Sequence, residues 1–271
     1  LKSSVYFDKT QLILRDKIVA FETSGHFEQD ILEMGKQMLE GKWNELTQPI
    51  YNSVSCVAFP KKIKESESKS NDAPLLISNT SSKSVEIDTA QYFIDMDVKG
   101  YILGVAWILI VGYLLDNGIY EHSYGNRLRK NLIKENGKPD FSPYLFEPYF
   151  QQYESWRDKA LNLAKEALNR EQDVVVLTLD FKRFFYHVNI GDTQLTEIVE
   201  RLFNNQTKTE YSDLVKPLTN FVNGIIKNYS LRLEKFESCN NRRVLPIGFA
   251  PSNIIANYCL KEFDDAIIAG W

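Results

Sequence analysis

The chain has 271 residues, 44% hydrophobic and 25% charged, the proportions of a soluble globular protein with one large core or two modest ones. A net charge of −4 excludes a positive overall field, so any nucleic-acid binding must come from local basic patches. The three cysteines, Cys56, Cys239 and Cys259, are odd in number, far apart and without metal-ligand spacing, which excludes a disulfide framework and points to a reducing, cytoplasmic compartment. No signal peptide is visible. The first residue is Leu1 rather than Met, so the chain is expected to lack its native beginning.

Residues 1–50 mix short apolar groups with charge, and Ile31, Met34, Met38 and Leu39 have helical spacing; this stretch is read as an N-terminal helical extension. His26, beside Gly25, reads as a turn residue. Asn52–Phe59 reads as a strand ending at Pro60, and Val85–Ile94 as a second strand. Between them Glu65–Ser84 is rich in Ser, Lys and Asn and reads as a mobile loop or hairpin tip. Lys61, Lys62 and Lys64 at its base are either a solvated basic loop or a set of ammonium groups for a triphosphate. Tyr101–Leu115 is the longest apolar run. It is shorter than a membrane span and interrupted by Gly104 and Gly112, so it reads as a helix buried on all sides.

Ser123–Lys138 carries Arg127, Arg129, Lys130, Lys134 and Lys138 against one acid, Glu135, with Tyr124 at its edge. Such a mixture suits a nucleic-acid backbone with an aromatic for stacking; the competing reading is a polar surface helix. From Pro148 an amphipathic helix carries Tyr149, Tyr153, Trp156, Ala160, Leu161, Ala164 and Leu168 on one side, a stripe expected to be core. Val174–Leu179 then forms a short β-branched run, read as a buried central strand with Asp180 at its carboxyl end. A carboxylate there either caps the strand or is neutralised by a cation. Asp192 is a candidate N-cap for a helix through Phe203, and a further helix spans Leu214–Ile226. The Pro246–Gly248 turn leads into a last helix for which Ser252 is the candidate cap.

The block Asp180-Phe181-Lys182-Arg183-Phe184-Phe185 and the later Leu245-Pro246-Ile247-Gly248 turn, in that order, resemble two palm motifs of the reverse transcriptase family. With Ser123-Tyr124-Gly125-Asn126-Arg127 upstream, the resemblance covers roughly residues 50–271, and within the family it lies nearest the bacterial enzymes associated with antiphage defence. It implies an α+β right-hand polymerase. Residues 51–145 would be fingers, and residues 146–271 an incomplete palm with an antiparallel sheet backed by helices. It implies two Mg2+ or Mn2+ ions held by Asp180 and the backbone carbonyl of Phe181, and deoxynucleoside triphosphates met by Lys61, Lys62 or Lys64. Phe185 would exclude the ribose 2′-hydroxyl, and Gly248 would let the backbone approach the nucleotide. Template and primer, RNA or DNA, would follow Tyr124, Arg127, Arg129 and Lys130, with a protein partner or homo-oligomer allowed and no membrane. Where the family commonly has Gln, this chain has Ile247, which puts the usual polar contact to the nucleotide in doubt.

The family's paired aspartates in a hairpin have no counterpart, because Asp264-Asp265 lies in a helical pattern and reads as structural or solvent-facing. The chain is therefore expected to be a fragment that does not polymerise by itself. Two other readings stand beside this one. A strand ending in one aspartate also suits haloacid dehalogenase-type phosphoryl transfer, although Lys182 occupies the place of that family's second aspartate. The other is a non-catalytic, polymerase-like scaffold that binds nucleic acid or a partner chain.

Overall fold

A computed structural model describes Leu1 and residues 11–63, 87–129, 145–204, 211–239 and 242–270. Its N-terminal part is helical, as the spacing predicts. Helix α1 (Leu12–Thr23) buries Leu14 and Ile18, one turn apart, and α2 (Phe27–Leu39) buries Met34. Helix α3 (Trp43–Ser53) buries Leu46 and Ile50 on one stripe. Lys17 ties α1 to the hairpin that follows, with its ammonium 3.0 Å from the Met96 carbonyl and 2.5 Å from Asp95.

Strands β1 (Ser55–Ile63) and β2 (Ile87–Asp95) form the antiparallel hairpin expected from their alternation, in register from Ser55↔Asp95 to Ile63↔Ile87. β1 runs on through the Pro60-Lys61-Lys62 stretch where the sequence suggests a stop. Its register slips between Pro60 and Lys62 and again before Ile63, next to a residue that has no N–H to give to the ladder. The expected hairpin tip, Glu65–Ser84, lies outside the described residues.

The apolar run becomes the axis of the core. Asp97 caps α4 (Val98–Trp107), accepting the Lys99 N–H at 2.8 Å. The helix continues through a π-helical turn (Ile108–Gly112) into α5 (Tyr113–Asn117). By length and composition Val98–Asn117 could cross a membrane, but it lies within the protein: Leu103, Trp107, Ile108, Val111 and Leu115 are fully covered. The two glycines that interrupt the run are its packing face, Gly104 meeting the Phe249 ring and Gly112 meeting Ile254. Trp107 donates its indole N–H to Thr219 at 3.2 Å on α9 (Ser212–Leu233), the long helix that closes the core from the other side. Helix α8 (Gln194–Asn204) packs on α9 and α5. Helices α10 (Ala250–Cys259) and α11 (Lys261–Ala269) end the described chain. The fold is α+β, with helices dominant.

Five expectations fail here. Val174–Leu179 is not a buried strand. Residues 172–181 form neither helix nor strand and lie outside the one sheet among the described residues, with Val175 94% and Leu177 77% exposed. The antiparallel palm sheet expected around them is therefore absent among the described residues. The preceding helix α6 (Tyr149–Asn169) buries none of its residues, so its aromatic stripe is surface, not core. A run apolar on both faces reads as buried, but burial requires partners at both edges and on both faces, and no described element supplies them. Asp192 does not cap α8, which begins at Gln194; its carboxylate instead lies 2.6 Å from Arg243. Ser252 sits inside α10, fully buried with its hydroxyl unpartnered, while Phe249 occupies the N-cap position.

Candidate active site

Three segments far apart in sequence meet at the end of β2. The first is the turn after Asp180, where Arg183 adopts a left-handed conformation (φ +56°) and starts the single helical turn α7 (Phe184–His187). The Arg183 guanidinium lies 4.7 Å from the centre of the Tyr186 ring and pairs with Glu237, which raises the Arg183 pKa further. The second is β2 itself. The Tyr92 N–H donates to the Tyr186 hydroxyl at 2.9 Å, and the Tyr229 hydroxyl donates to the Tyr92 carbonyl at 2.8 Å. Burial pushes both phenols, Tyr186 and Tyr229, above their ordinary range, so they stay neutral and serve as hydrogen-bonding groups.

The third segment is the Pro246–Gly248 turn. Leu245 N–H donates to the Phe185 carbonyl at 3.1 Å, and Ile94 N–H donates to the Ile247 carbonyl at 2.8 Å. Ile247 thereby makes a parallel bridge with Phe93 and joins the hairpin to the turn. Gly248 has φ +90°, and a Cβ there would come within 3.2 Å of the Phe93 ring and 3.3 Å of the Gln11 amide nitrogen. The positive φ favours glycine there, and any side chain would have to push on Phe93 and Gln11. What approaches Gly248 from the direction of that missing Cβ is Phe93 and Gln11, not an open nucleotide face.

The sequence-predicted residues divide accordingly. Phe185 lies in this junction, partly buried against the core. Asp180 is exposed near the end of the segment 172–181. Phe181 turns its ring to Phe184 and, edge-on, to Phe263 of α11, each at 5.7 Å. Lys61 and Lys62 are exposed on β1, with Lys62 3.8 Å from Asp88 across the hairpin. Lys64 and Lys130 lie outside the described residues. Tyr124 is half-buried, and the Arg129 N–H donates to the Leu145 carbonyl at 3.2 Å.

Arg127 is not available to a phosphate backbone. Nε donates to Asp116 Oδ1 at 3.0 Å, and one terminal nitrogen to the carbonyls of Tyr120 and Ser123 at 3.1 and 3.0 Å. The other serves the Asp116 carbonyl at 3.0 Å and Asp116 Oδ2 at 3.4 Å. All five guanidinium donors are used, and Asp116 is buried. This arginine folds the 120s loop onto α5.

Comparison with known proteins returns no match to a family model, a curated sequence or a solved structure. The site must therefore be judged on its own chemistry. Among the described residues no three His, Cys, Asp or Glu side chains are placed to hold a metal ion. Asp264 and Asp265 do not extend Asp180 into such a group. Asp265 is 2.5 Å from Lys261, one helical turn away, and burial with the Asp265 charge beside it raises the Asp264 carboxyl. One carboxylate and one carbonyl do not fit a two-ion centre, which takes several oxygen ligands.

The tyrosine pair that holds Tyr92, and the Arg183–Glu237 pair beneath it, were missed from sequence. The available signal was the aromatic block at Phe184-Phe185-Tyr186 opposite the strand pattern at Tyr92-Phe93-Ile94.

Proposed function

We propose that the chain is the fingers and part of the palm of a reverse transcriptase-type nucleotidyltransferase that makes DNA from deoxynucleotides, acting in bacterial antiviral defence in the cytoplasm. One observation carries this reading: the hairpin, the turn after Asp180 and the Gly248 turn, each singled out separately in the sequence, are joined by the Tyr186–Tyr92, Leu245–Phe185 and Ile94–Ile247 hydrogen bonds. A polymerase needs those three pieces around one nucleotide.

The reading makes two demands on residues beyond those described. At least one further carboxylate must reach Asp180, and at least one further strand must cover Val174–Leu179. A second copy of the same strand suits this poorly: antiparallel pairing centred between Val176 and Leu177 sets Asp173 opposite Asp180, a like-charge pair. Template, primer, two divalent ions and a partner chain or homo-oligomer belong to the same proposal.

A second reading is a non-catalytic scaffold. It is favoured by the solitary, exposed Asp180 and by the apolar surface of α6 and residues 175–181. Incorporation measured with a deoxynucleotide and its ribonucleotide separates the two, using wild type and Phe185→Val. If Phe185 walls the sugar, the variant admits the ribonucleotide and selectivity falls by roughly one to three decades. If Phe185 only packs, activity falls equally for both sugars and the ratio is unchanged. Absence of incorporation by the full-length wild-type protein favours the scaffold.

A further inference from the structure

Helix α7 is a single turn, and one turn of helix does not hold itself in place. Phe185 sits in it, so the direction of that ring depends on what fixes the turn from outside. Two anchors lie at and beyond Phe185. Its carbonyl accepts the Leu245 N–H at 3.1 Å, and the Tyr186 hydroxyl accepts the Tyr92 N–H at 2.9 Å. Before Phe185 the turn is set by Arg183, whose carbonyl accepts the Tyr186 N–H at 2.9 Å. Its left-handed backbone (φ +56°) is one that a residue with a Cβ rarely adopts unless its surroundings impose it.

That constraint comes from the segment after α9. The Glu237 N–H donates to the Leu233 carbonyl at 2.9 Å, which folds this segment back on the end of the helix. From there two side chains reach the β2 junction. Phe236 stacks on Tyr92, 5.4 Å between ring centres and 27° between planes, and Glu237 pairs with the Arg183 guanidinium. The same guanidinium lies over the Tyr186 ring, so it ties Glu237 to the turn itself. The two side chains are 33% and 23% exposed, at the edge of solvent, where an ion pair adds little to stability. What it does there is hold a backbone angle.

We infer that Glu237 is a positioning residue for sugar selection: through Arg183 it fixes the α7 turn, and with it the Phe185 ring, beside C2′ of the bound nucleotide. The inference rests on the polymerase reading above. Without the carboxylate, Arg183 is free to relax toward the ordinary right-handed region, and that rotation swings the residues that follow it. A small displacement of the ring then makes room for a ribose 2′-hydroxyl, although Glu237 itself touches no substrate.

The test compares catalytic efficiency for a deoxynucleotide and its ribonucleotide in the full-length protein. Wild type, Phe185→Val, Glu237→Ala, Glu237→Gln, Arg183→Ala and the double variant Arg183→Ala/Glu237→Ala are measured, each with a thermal melt. Glu237→Ala is expected to lower selectivity for the deoxynucleotide about three- to tenfold, less than Phe185→Val does, with a melt close to that of the wild type. The double variant should be no less selective than Arg183→Ala alone, because Glu237 acts through that residue. Glu237→Gln keeps the shape of the side chain and carries the test if Glu237→Ala unfolds. Activity that falls equally for both sugars in the Glu237 variants, at an unchanged ratio, overturns the inference, while a relaxed ratio in Phe185→Val still upholds the reading beneath it. Additive losses of selectivity in the double variant overturn it as well. No incorporation by the wild type, or an unchanged ratio in Phe185→Val, overturns the reading and the inference together.

Discussion

Replacing Arg127 with Ala should unfold the protein more readily without touching any ligand. The guanidinium closes on a carboxylate whose side chain is only 9% exposed, and it also holds the carbonyls of Asp116, Tyr120 and Ser123. After truncation, Asp116 keeps one described donor, the Leu128 N–H at 3.3 Å, and a buried charge loses its partner. Breaking one side of a buried pair costs about 3–5 kcal/mol. For a chain of this size that lowers Tm by about 10 °C. Arg127→Lys should recover little, because three donors on one nitrogen cannot span Asp116 and two separate carbonyls. Removing both partners, as Asp116→Leu with Arg127→Leu, should restore part of the loss, and a double-mutant cycle should report coupling above about 1 kcal/mol. Thermal or urea unfolding measures all three. A loss below about 1 kcal/mol in Arg127→Ala, together with weakened nucleic-acid binding, would refute the clamp and return Arg127 to an interface.

Two further outcomes follow from exposure and burial. Val175→Ser and Leu177→Ser should leave stability of the chain within about 0.5 kcal/mol, because both side chains stand in solvent; a loss of about 2–5 kcal/mol in unfolding experiments would mean that they are buried after all. Burial raises the Tyr101 and Tyr229 phenols, so unfolded tyrosines ionise near pH 10 while the folded ones keep their protons. Stability is then fully present below about pH 10 and falls as pH rises toward the folded values. Melting curves across the alkaline range should be shallower in Tyr229→Phe, and an unchanged slope would contradict the assignment.

Much of the architecture is legible because it depends on local period. Leu195, Val199 and Leu202 on α8, and Val215, Leu218, Val222 and Ile225 on α9, repeat at helical spacing and turn inward, at least half-buried. The hairpin follows from alternation on either side of a polar loop. What fails depends on partners. Val174–Leu179 has the composition of a central strand, but composition records what a segment can bury against, not whether the neighbour is present. Arg127 reads as part of a basic patch, and only the fold brings it to Asp116, eleven residues earlier. Asp192 and Ser252 match cap chemistry by type, yet Arg243 takes the first and the start of α10 at Ala250 buries the second. Tyr186 and Tyr229 meet Tyr92 across 94 and 137 residues of chain, a separation at which no periodicity signals contact.

The central claim is that Asp180 belongs to a nucleotidyl-transfer centre and the Asp264-Asp265 pair does not. Deoxynucleotide incorporation by the full-length protein with Mg2+ or Mn2+ tests it directly, comparing wild type, Asp180→Asn and Asp264→Asn/Asp265→Asn, each with a thermal melt. The account predicts incorporation by the wild type, at least a hundredfold loss in Asp180→Asn with an unchanged melt, on the order expected when a charge-stabilising group is removed, and near wild-type activity in the double variant. Full activity in Asp180→Asn, or its loss only when Asp264 and Asp265 are changed, would contradict it.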